Sequence, residues 1–372
     1  MSEKFGNYGK MKISVILGTR PEIIKMSSII NECEKLKLDY FILHTGQHYS
    51  HKMNKTFFQQ LELPEAKYNL GIGSGSHGEQ TGKMLIGVER ILRKEKPDIV
   101  LVEGDTNTVL AGALAASKLG IKVGHVEAGL RSFDKIMPEE TNRILTDHCS
   151  DFLFAPTPRA KQNLVKEGIP QKMIFITGNT IVDAVHLYAE LLKDPEFIRQ
   201  SDLRYKNYFL VTIHRQENVD NMEKFARILQ GLEWVEKEFH VPVVYPLHPR
   251  SRKKMKEFKI EPRGLRLIDP VDFLSFLRLE AGAKLVLTDS GGVQEETCVL
   301  GVPCVTLRDS TERPETLDVG SNVLAGTDPL KILKSVRLMI NKKPDWENPF
   351  GDGTSGNRIV KVLRDHFNEQ VK

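Results

Sequence analysis

The 372-residue chain is predicted to be an α/β protein with two Rossmann-like, doubly wound domains that face each other across a cleft. Short apolar runs of strand length alternate with helical patterns in both halves of the sequence, as parallel α/β sheets require. The length suits two domains better than one. Most of the strands end in glycine or polar residues, and such sheets bind ligands outside the carboxyl ends of their strands. The sequence therefore predicts a site in that cleft.

The first half begins with a strand at 12–17, followed by Gly18 and by a helix in which Pro21 suits the first position. Later strands are predicted at 40–43, 98–102 and 121–126. Helices are predicted near 52–61 and at 80–95. An alanine-rich helix is predicted to end at 119, and a further helix is predicted to begin at 137. The N-terminal domain is predicted to cover 1–180.

A polar stretch at 193–206 precedes a second series of the same kind. Its strands are predicted at 208–213, 241–247, 265–268, 284–287 and 302–307. A glycine-rich break at 351–356 separates this series from an amphipathic terminal helix. The C-terminal domain is predicted to cover 181–356.

Composition and charge indicate a soluble cytoplasmic protein. The net charge of +4 is too small to predict nucleic-acid binding. The four cysteines show no metal-binding spacing and are expected to be reduced thiols. No apolar run approaches the length of a membrane span. Several arginines stand singly in loop-like contexts, which favours a small anionic ligand: Arg20, Arg131, Arg215, Arg250 and Arg313.

The segment 285–296 predicts a phosphate site. It reads as a short buried strand, a turn of Ser290, Gly291 and Gly292, and the start of a helix. Residues this small let an anion approach the backbone N–H groups at the helix N-terminus, where the helix dipole is positive. Glu296, one to two turns into the helix, is placed to meet a ribose. The alternative is an ordinary glycine-rich turn.

Three carboxylates are candidates for acid–base chemistry. Asp105 and Glu127 directly follow hydrophobic strands and have a glycine within two residues, and Glu139 follows Pro138. Carboxylates at adjacent strand ends can share acid and base roles if burial raises the pKa of one of them. Alternatively, Asp105 caps the helix that begins near Thr106, and Glu139 is an acid matched to its helix dipole.

Two other motifs are given less weight. The segment 73–78 matches the G-x-G-x-x-G pattern, but no credible buried strand precedes it, so we interpret it as a mobile loop and expect no dinucleotide. His44, His48 and His51 are closely spaced, but neither cysteine nor carboxylate completes a metal site nearby. We therefore expect no metal.

Seven stretches together resemble the non-hydrolysing UDP-N-acetylglucosamine 2-epimerases, in the order and spacing of that family. They are GTRPEIIKM at 18–26, TGQH at 45–48, GDT at 104–106, HVEAGLR at 125–131, PEE at 138–140, HRQEN at 214–218 and DSGGVQEE at 289–296. The resemblance implies a glycosyltransferase-B type fold, in which the terminal helix 357–372 packs back on the first domain. It also implies a homodimer.

The resemblance further implies interconversion of UDP-GlcNAc and UDP-ManNAc through 2-acetamidoglucal, without metal or redox cofactor. By similarity, Asp105, Glu127 and Glu139 are acid–base candidates, and His214 stabilises the leaving diphosphate. The substrate-binding candidates are Arg20, Lys25, Ser290, Gly291, Gly292, Glu296 and Arg313.

Three alternatives stay open. A glycosyltransferase of the same fold would share the UDP site but need one catalytic base and an acceptor groove. A hydrolysing 2-epimerase would release UDP and free ManNAc. A UDP-sugar sensor without activity would have no reason to gather Asp105, Glu127 and His214 in one cleft.

Overall fold

The computed structural model describes residues 11–47, 58–188 and 203–369. Four sequence features therefore lie wholly or partly outside the described residues. They are the N-terminal segment 1–10, residues 52–57 of the predicted helix, residues 193–202 of the polar stretch, and both His48 and His51.

The chain divides by its internal contacts into two compact units. Unit 1 comprises Met1–Ala184 and Phe350–Lys372, and unit 2 comprises Val185–Pro349. The predicted class of two doubly wound α/β units is confirmed, because each unit has its own parallel sheet with crossover helices.

The sheet of unit 1 has seven parallel strands in the order β3-β2-β1-β4-β5-β6-β7. The strands are β1 Lys12–Leu17, β2 Asp39–His44, β3 Tyr68–Asn69, β4 Ile99–Glu103, β5 Lys122–Val126, β6 Phe152–Ala155 and β7 Ile174–Ile176. The helices are α1 Arg20–Lys35, α2 His77–Glu95, α3 Asn107–Lys118, α4 Pro138–Cys149, α5 Pro158–Lys166 and α6 Thr180–Leu187. A short 3-10 helix, Gln171–Met173, precedes β7.

The sheet of unit 2 has six parallel strands in the order β10-β9-β8-β11-β12-β13. The strands are β8 Phe209–Thr212, β9 Val243–Pro246, β10 Leu265–Ile268, β11 Leu285–Thr288, β12 Cys304–Thr306 and β13 Asn322–Leu324. The helices are α7 Gln216–Val219, α8 Met222–Phe239, α9 Pro249–Phe258, α10 Phe273–Gly282, α11 Gly291–Val299, α12 Pro314–Asp318 and α13 Pro329–Met339.

Both sheets reverse their strand order beside the first strand of the unit, between β1 and β4 and between β8 and β11. Doubly wound sheets bind ligands at this switch point, at the carboxyl ends of the strands. The central strands β4, β8 and β11 are almost completely buried, because helices cover both faces of the sheet. Their apolar runs therefore show no alternation, and only the residues after each strand are available to a ligand.

The last helix, α14 Ser355–Glu369, belongs to unit 1. The Asp183 carboxylate accepts hydrogen bonds from the backbone N–H groups of Ser355 and Gly356, at 3.1 and 2.8 Å. A side chain at Gly356 would come within 2.7 Å of Ser28 Oγ in α1, so α14 packs closely on α1. Glycine is therefore the residue that permits this contact.

Helix α2 starts three residues earlier than the sequence pattern predicts, at His77 and not at Gln80. The prediction of a loop for the whole of 73–78 is wrong for its last two residues, His77 and Gly78. Ser76 caps the helix and accepts a hydrogen bond from the Glu79 N–H at 3.4 Å. This serine with a glutamate three residues later is an N-terminal helix signal that the sequence interpretation overlooked.

Among the described residues, none of the helices is both long enough and apolar enough to cross a bilayer.

Candidate functional site

In unit 1, two parallel strands bring the carboxylate candidates to one edge of the sheet. Strands β4 and β5 pair in register, with Glu103 opposite Val126. Asp105 lies two residues beyond the end of β4, and Glu127 lies one residue beyond the end of β5. The carboxyl ends of adjacent parallel strands meet at the same edge, so both side chains belong to this switch-point region.

Glu127 is buried and has a left-handed backbone, with a φ angle of 71°. A non-glycine residue in this region carries backbone strain, and such residues are enriched at active sites. Its Oε1 accepts hydrogen bonds from Lys25 Nζ at 2.7 Å and from Asn179 Nδ2 at 3.1 Å. Glu127 is thus fixed in orientation by a cation and an amide.

Lys25, which the sequence assigns to substrate binding, lies between two carboxyl groups in the structure. It is buried in α1, 2.7 Å from Glu127 and 3.4 Å from Oε1 of Glu103. A buried cation requires such partners because losing its hydration is costly. Its observed contacts are therefore with the carboxyl groups that end β4 and follow β5.

The helix-cap interpretation of Asp105 is wrong. The N-cap of α3 is Thr106, and the helix begins at Asn107. The Asp105 carboxylate instead lies 3.4 Å from Arg143 Nη2 in α4, and its backbone carbonyl accepts a hydrogen bond from Asn142 Nδ2 at 2.9 Å. The side chain is about 30% exposed, so the carboxylate is held from one side and open to a ligand from another.

Glu139 and Glu140 both occupy the first turn of α4, but their surroundings differ. Glu140 is buried and accepts hydrogen bonds from the N–H groups of Ser132 and Phe133, at 3.0 and 2.8 Å. Arg143 also donates to Glu140 at 3.1 Å. Glu139 is half-buried. Glu140 therefore stabilises the start of α4 through these contacts, and the role of Glu139 stays a prediction.

A buried polar network braces both strand-end loops. His125 Nδ1 lies 2.6 Å from the Asp147 carboxylate, and His125 Nε2 lies 2.9 Å from the carbonyl oxygen of Gly104. Asp147 also accepts from Arg131 Nη2 at 2.7 Å and from the Gly129 N–H at 3.2 Å. Burial opposes ionisation of Asp147, but His125 and Arg131 more than compensate and lower its pKa. The network therefore links the loops that carry Asp105 and Glu127.

Glu22 organises the turn between β1 and α1, directly before Arg20. Its carboxyl group accepts hydrogen bonds from the Gly18 N–H and from the hydroxyls of Thr19 and Thr106. Burial raises the pKa of Glu22 to about 7, although each of these hydrogen bonds lowers it. Strongly shifted carboxyls cluster at functional sites, and this one joins the ends of β1 and β4.

In unit 2, Asp289 organises the loop after β8. This carboxylate is completely buried and accepts hydrogen bonds from the N–H groups of His214 and Arg215, at 3.1 and 2.9 Å. Asn218 Nδ2 donates to it at 3.1 Å and to the Leu307 carbonyl at 3.1 Å. A charged acceptor that satisfies several donors at once fixes the path of the whole loop.

His214 is held so that its ring stays accessible. The side chain is 35% exposed, and Nδ1 lies 3.4 Å from the Asp289 carboxylate. Partial burial lowers the pKa of His214, and the neighbouring Asp289 opposes that shift. A histidine ring carries at least one N–H in either protonation state, so His214 can donate a hydrogen bond to a ligand.

The Ser290–Gly292 turn is a helix N-terminus, as predicted from sequence. Ser290 is the N-cap of α11, its side chain makes no capping hydrogen bond, and no acidic residue lies in the first turn. A β-carbon at Gly291 would meet Glu312 Oε1 at 2.4 Å, whereas one at Gly292 would meet nothing closer than Ser290 Oγ at 4.0 Å. Gly291 therefore faces the protein, and Gly292 faces open space.

Several of the arginines that the sequence assigned to an anionic ligand already contact carboxylates. Arg131 contacts Asp147 and Glu167, and Arg250 contacts Asp220 at 2.6 Å. Arg313 is buried and lies 2.5 Å from the buried Glu295. Binding of a ligand by Arg313 stays a prediction beside this ion pair.

Glu296, the predicted ribose contact, is buried beside a second carboxyl group, that of Glu280 in α10. Burial and the proximity of Glu296 raise the pKa of Glu280 well above its ordinary value. A neutral Glu280 can donate to Glu296, because a protonated carboxyl group is a donor.

Within the described part of the chain, no three histidine, cysteine, aspartate or glutamate side chains are arranged to hold a metal ion. Of the three histidines considered for metal binding, the structure describes His44 alone, and this side chain is buried.

Two doubly wound sheets, one with carboxylates at its strand ends and one with a glycine-rich helix N-terminus, define a nucleotide-binding α/β enzyme. Residues 31–364 match the family model described as UDP-N-acetylglucosamine 2-epimerase. The UDP-N-acetylglucosamine 2-epimerase of Methanocaldococcus jannaschii is 56% identical to the chain, covering 95% of this chain and 99% of that protein. The chain therefore belongs to the UDP-N-acetylglucosamine 2-epimerase family.

Solved structures agree with this assignment. The M. jannaschii enzyme in complex with UDP-GlcNAc and UDP superposes with a TM-score of 0.91, covering 95% of this chain and 99% of that chain. The Neisseria meningitidis enzyme bound to UDP-GlcNAc is 35% identical and superposes with a TM-score of 0.88. The match covers 95% of this chain and 100% of that chain. A Pseudomonas aeruginosa relative named UDP-2,3-diacetamido-2,3-dideoxy-D-glucuronate 2-epimerase is 44% identical, with coverage of 95% and 99%. The predicted family and the enzyme class, a sugar-nucleotide 2-epimerase, are confirmed.

Sequence reasoning missed Glu22, Glu103, Asn179 and Asp289 as residues of these clusters. Glu103 immediately precedes Gly104 and Asp105, so its position at a strand end was a usable signal. Glu22 lies inside the motif at 18–26, and that position was the signal for it. Asn179 and Asp289 act through contacts with residues 52 and 75 positions away in the sequence.

Proposed function

We propose that this protein is a non-hydrolysing UDP-GlcNAc 2-epimerase, which interconverts UDP-GlcNAc and UDP-ManNAc. The observation that carries the proposal is the cluster at the ends of β4 and β5, where Glu127 contacts Lys25 and Asp105 contacts Arg143. A buried Glu127 and a partly exposed Asp105 at one sheet edge provide two acid–base groups, which proton transfer needs and binding alone does not. The relatives with this whole-chain similarity supply the substrate class.

The first step is an elimination in which a carboxylate takes the proton from sugar C2. The C2–H electron pair forms the C1–C2 double bond, and the C1–O electron pair leaves with UDP, which yields 2-acetamidoglucal. Glu127 is suited to act as the base because its orientation is fixed by Lys25 and Asn179. A positioned carboxylate contributes about 100- to 10,000-fold to such a proton transfer.

The second step returns UDP to C1 and protonates C2 from the opposite face. Inversion therefore needs acid–base groups on both faces of the ring, which a single carboxylate cannot supply. We assign the second face to Asp105 and Glu139. Asp105 is partly exposed and has an arginine beside it, and Glu139 is half-buried at the start of α4.

Charge that develops on the departing diphosphate needs separate stabilisation. We assign this task to Arg20, to His214 and to the α11 N-terminus at Ser290–Gly292, with Glu296 on the ribose. Preorganised donors aimed at developing charge supply a large share of the rate acceleration in many enzymes. Asp289 provides that preorganisation for the His214 loop through four hydrogen bonds.

In this proposal an N-terminal domain, 1–180 with the terminal helix 357–372, carries the acid–base groups. A C-terminal domain, 181–356, carries the UDP-binding groups other than Arg20. We further propose that the enzyme works in the cytoplasm as a homodimer, which size-exclusion chromatography with light scattering would test.

The two glycines of the turn should respond in opposite ways to alanine. Gly291→Ala should lower the free energy of unfolding by about 1–3 kcal/mol, because its β-carbon collides with Glu312, which is buried and paired with Arg308. Gly292→Ala should fold normally, since alanine favours a helix over glycine, yet weaken UDP binding about tenfold by blocking the approach of a phosphate. Thermal unfolding and titration calorimetry with UDP measure both effects. Equal UDP affinity in Gly292→Ala and wild type would contradict the phosphate assignment.

The reaction itself is tested by turnover in deuterated water without added cofactor. We expect UDP-ManNAc that carries deuterium at C2, because the proton returned to C2 comes from an enzyme group in exchange with solvent. Proton NMR of the product measures this directly. A glycosyltransferase acts at C1 and leaves the C2 hydrogen in place, so product with full protium at C2 would refute the elimination mechanism.

The same samples separate the neighbouring activities. Free ManNAc with UDP would indicate a hydrolysing enzyme, because water would then have added at C1. A parallel reaction with UDP-2,3-diacetamido-2,3-dideoxy-D-glucuronate tests the substrate named for the P. aeruginosa relative. We expect UDP-GlcNAc to be the better substrate, since the M. jannaschii enzyme is 56% and the P. aeruginosa enzyme 44% identical to this chain.

A further inference from the structure

Glu103 is a buried carboxyl group to which the proposed reaction assigns no role. It is the last residue of β4, and only 2% of it is exposed. Its Oε1 lies 3.4 Å from Lys25 Nζ, and the same ammonium group lies 2.7 Å from Oε1 of Glu127. One cation therefore faces two carboxyl groups in a place with little access to water.

Two buried carboxylates beside a single ammonium group would leave one negative charge uncompensated, which favours a neutral acid at one of the two positions. Oε1 of Glu127 accepts hydrogen bonds from Lys25 Nζ and Asn179 Nδ2, and both stabilise a charged carboxylate. Oε1 of Glu103 is buried and makes no hydrogen bond with the described residues. Glu127 is therefore the better stabilised anion, and Glu103 keeps the proton.

The surroundings favour the same distribution of charge. Burial raises the pKa of Glu103 well above its ordinary value; Lys25 opposes the shift, and Glu127 and Glu22 add to it. The other charged groups at this edge have partners elsewhere: His125 contacts Asp147, and Arg143 contacts Asp105 and Glu140. One proton on Glu103 leaves the group of Lys25, Glu103 and Glu127 electrically neutral, which is the least costly state for buried ions.

We propose that Glu103 is a positioning residue, which donates its hydrogen bond to the Glu127 carboxylate and so holds Glu127 as the base of this site. The inference rests on the proposed epimerase function and deepens it by giving one carboxylate a definite role. The proton that leaves C2 goes to Glu127, and Glu103 retains its own proton throughout the reaction.

The proton on Glu103 also gives the activity an alkaline limit. A raised pKa means that the proton is present below that pKa and is lost as the pH rises through it. Above it, Glu103 becomes a second carboxylate that competes for Lys25 and no longer donates to Glu127. We therefore expect kcat/KM to fall on the alkaline side as this pair loses its proton.

Two substitutions at this position test the inference. Glu103→Leu removes the donor and should lower kcat about tenfold or more, with little change in KM. Glu103→Gln keeps a donor of the same shape and should restore most of that loss. Because the amide cannot lose its proton, Glu103→Gln should also move the alkaline limb of the kcat/KM profile to higher pH. Glu89→Gln is the matched control, because it alters only an exposed ion pair with Arg93. This variant should keep the wild-type dependence of kcat/KM on pH.

A second measurement does not depend on activity. The infrared difference spectrum, wild type minus Glu103→Gln at neutral pH, should contain the carbonyl stretch of a neutral, buried carboxylic acid. Glu22 and Glu280, whose pKa values are also raised, are present in both proteins and cancel in the difference. If the difference spectrum lacks this band, if Glu103→Gln is as slow as Glu103→Leu, or if its alkaline limb matches wild type, the inference is overturned. Failure of wild type to form UDP-ManNAc would instead refute the proposed function, and the infrared comparison would still test the proton on Glu103.

Discussion

Glu127→Gln should lower kcat for epimerisation by about 100-fold or more, because the amide cannot accept the proton from sugar C2. The substitution preserves the shape of the side chain and its contact with Asn179. Glu103, 3.4 Å from Lys25 Nζ, can ionise and keep this buried cation paired, so the thermal unfolding temperature should change little. UDP affinity should also change little, since we assign UDP to Arg20, His214, Glu296 and the Ser290–Gly292 turn and not to Glu127. Steady-state kinetics, scanning calorimetry and UDP titration measure the three quantities on the same preparation.

The control for this substitution is a glutamate with no assigned role in the reaction. Glu89→Gln alters an exposed ion pair with Arg93, which is worth about 0.3–0.5 kcal/mol, and should turn over like wild type. If Glu127→Gln retains wild-type turnover per folded molecule, Glu127 is not the base. Its buried contact with Lys25 would then serve stability alone.

The neighbouring acids Glu139 and Glu140 should separate chemistry from folding. Glu139→Gln should lower kcat about 100-fold or more and leave the unfolding temperature unchanged. Glu140→Gln should instead lower the free energy of unfolding by roughly 3 kcal/mol, because it removes a buried carboxylate from Arg143 and from two backbone N–H groups. Calorimetry and kinetics on both variants provide the comparison.

The two residues serve as mutual controls, since they are adjacent in one helical turn and undergo the same chemical change. If Glu139→Gln unfolds at lower temperature while its turnover per folded molecule persists, Glu139 is only an acid matched to the helix dipole. In that case the second face of the sugar ring would depend on Asp105 alone.

Strand positions were predictable because the central strands are buried on both faces and read as continuous apolar runs. Predicted bounds such as 98–102 and 241–247 differ by one or two residues from β4 Ile99–Glu103 and β9 Val243–Pro246. Helix starts were less certain where a capping residue decides them. At α2, Ser76 begins the helix before the apolar pattern does.

Candidate site residues were found wherever position along a strand was informative. Asp105, Glu127 and the Ser290–Gly292 turn all follow apolar runs, so local sequence identified them without any knowledge of contacts. Arginines had no comparable positional signal. Arg131, Arg250 and Arg313 resemble ligand groups in sequence, but each contacts a carboxylate at least 16 residues away along the chain.

The sequence by itself determined the fold class, the family and the positions of the candidate acids, because strand ends and helix starts are encoded by neighbouring residues. Only the tertiary structure decided the electrostatic state of those acids. Whether a carboxyl group is charged depends on burial and on partners such as Lys25, which lies 102 positions from Glu127 in sequence but 2.7 Å away in space. The free energy of an ion changes steeply with distance and solvation, so its state is a property of the fold and not of the local sequence.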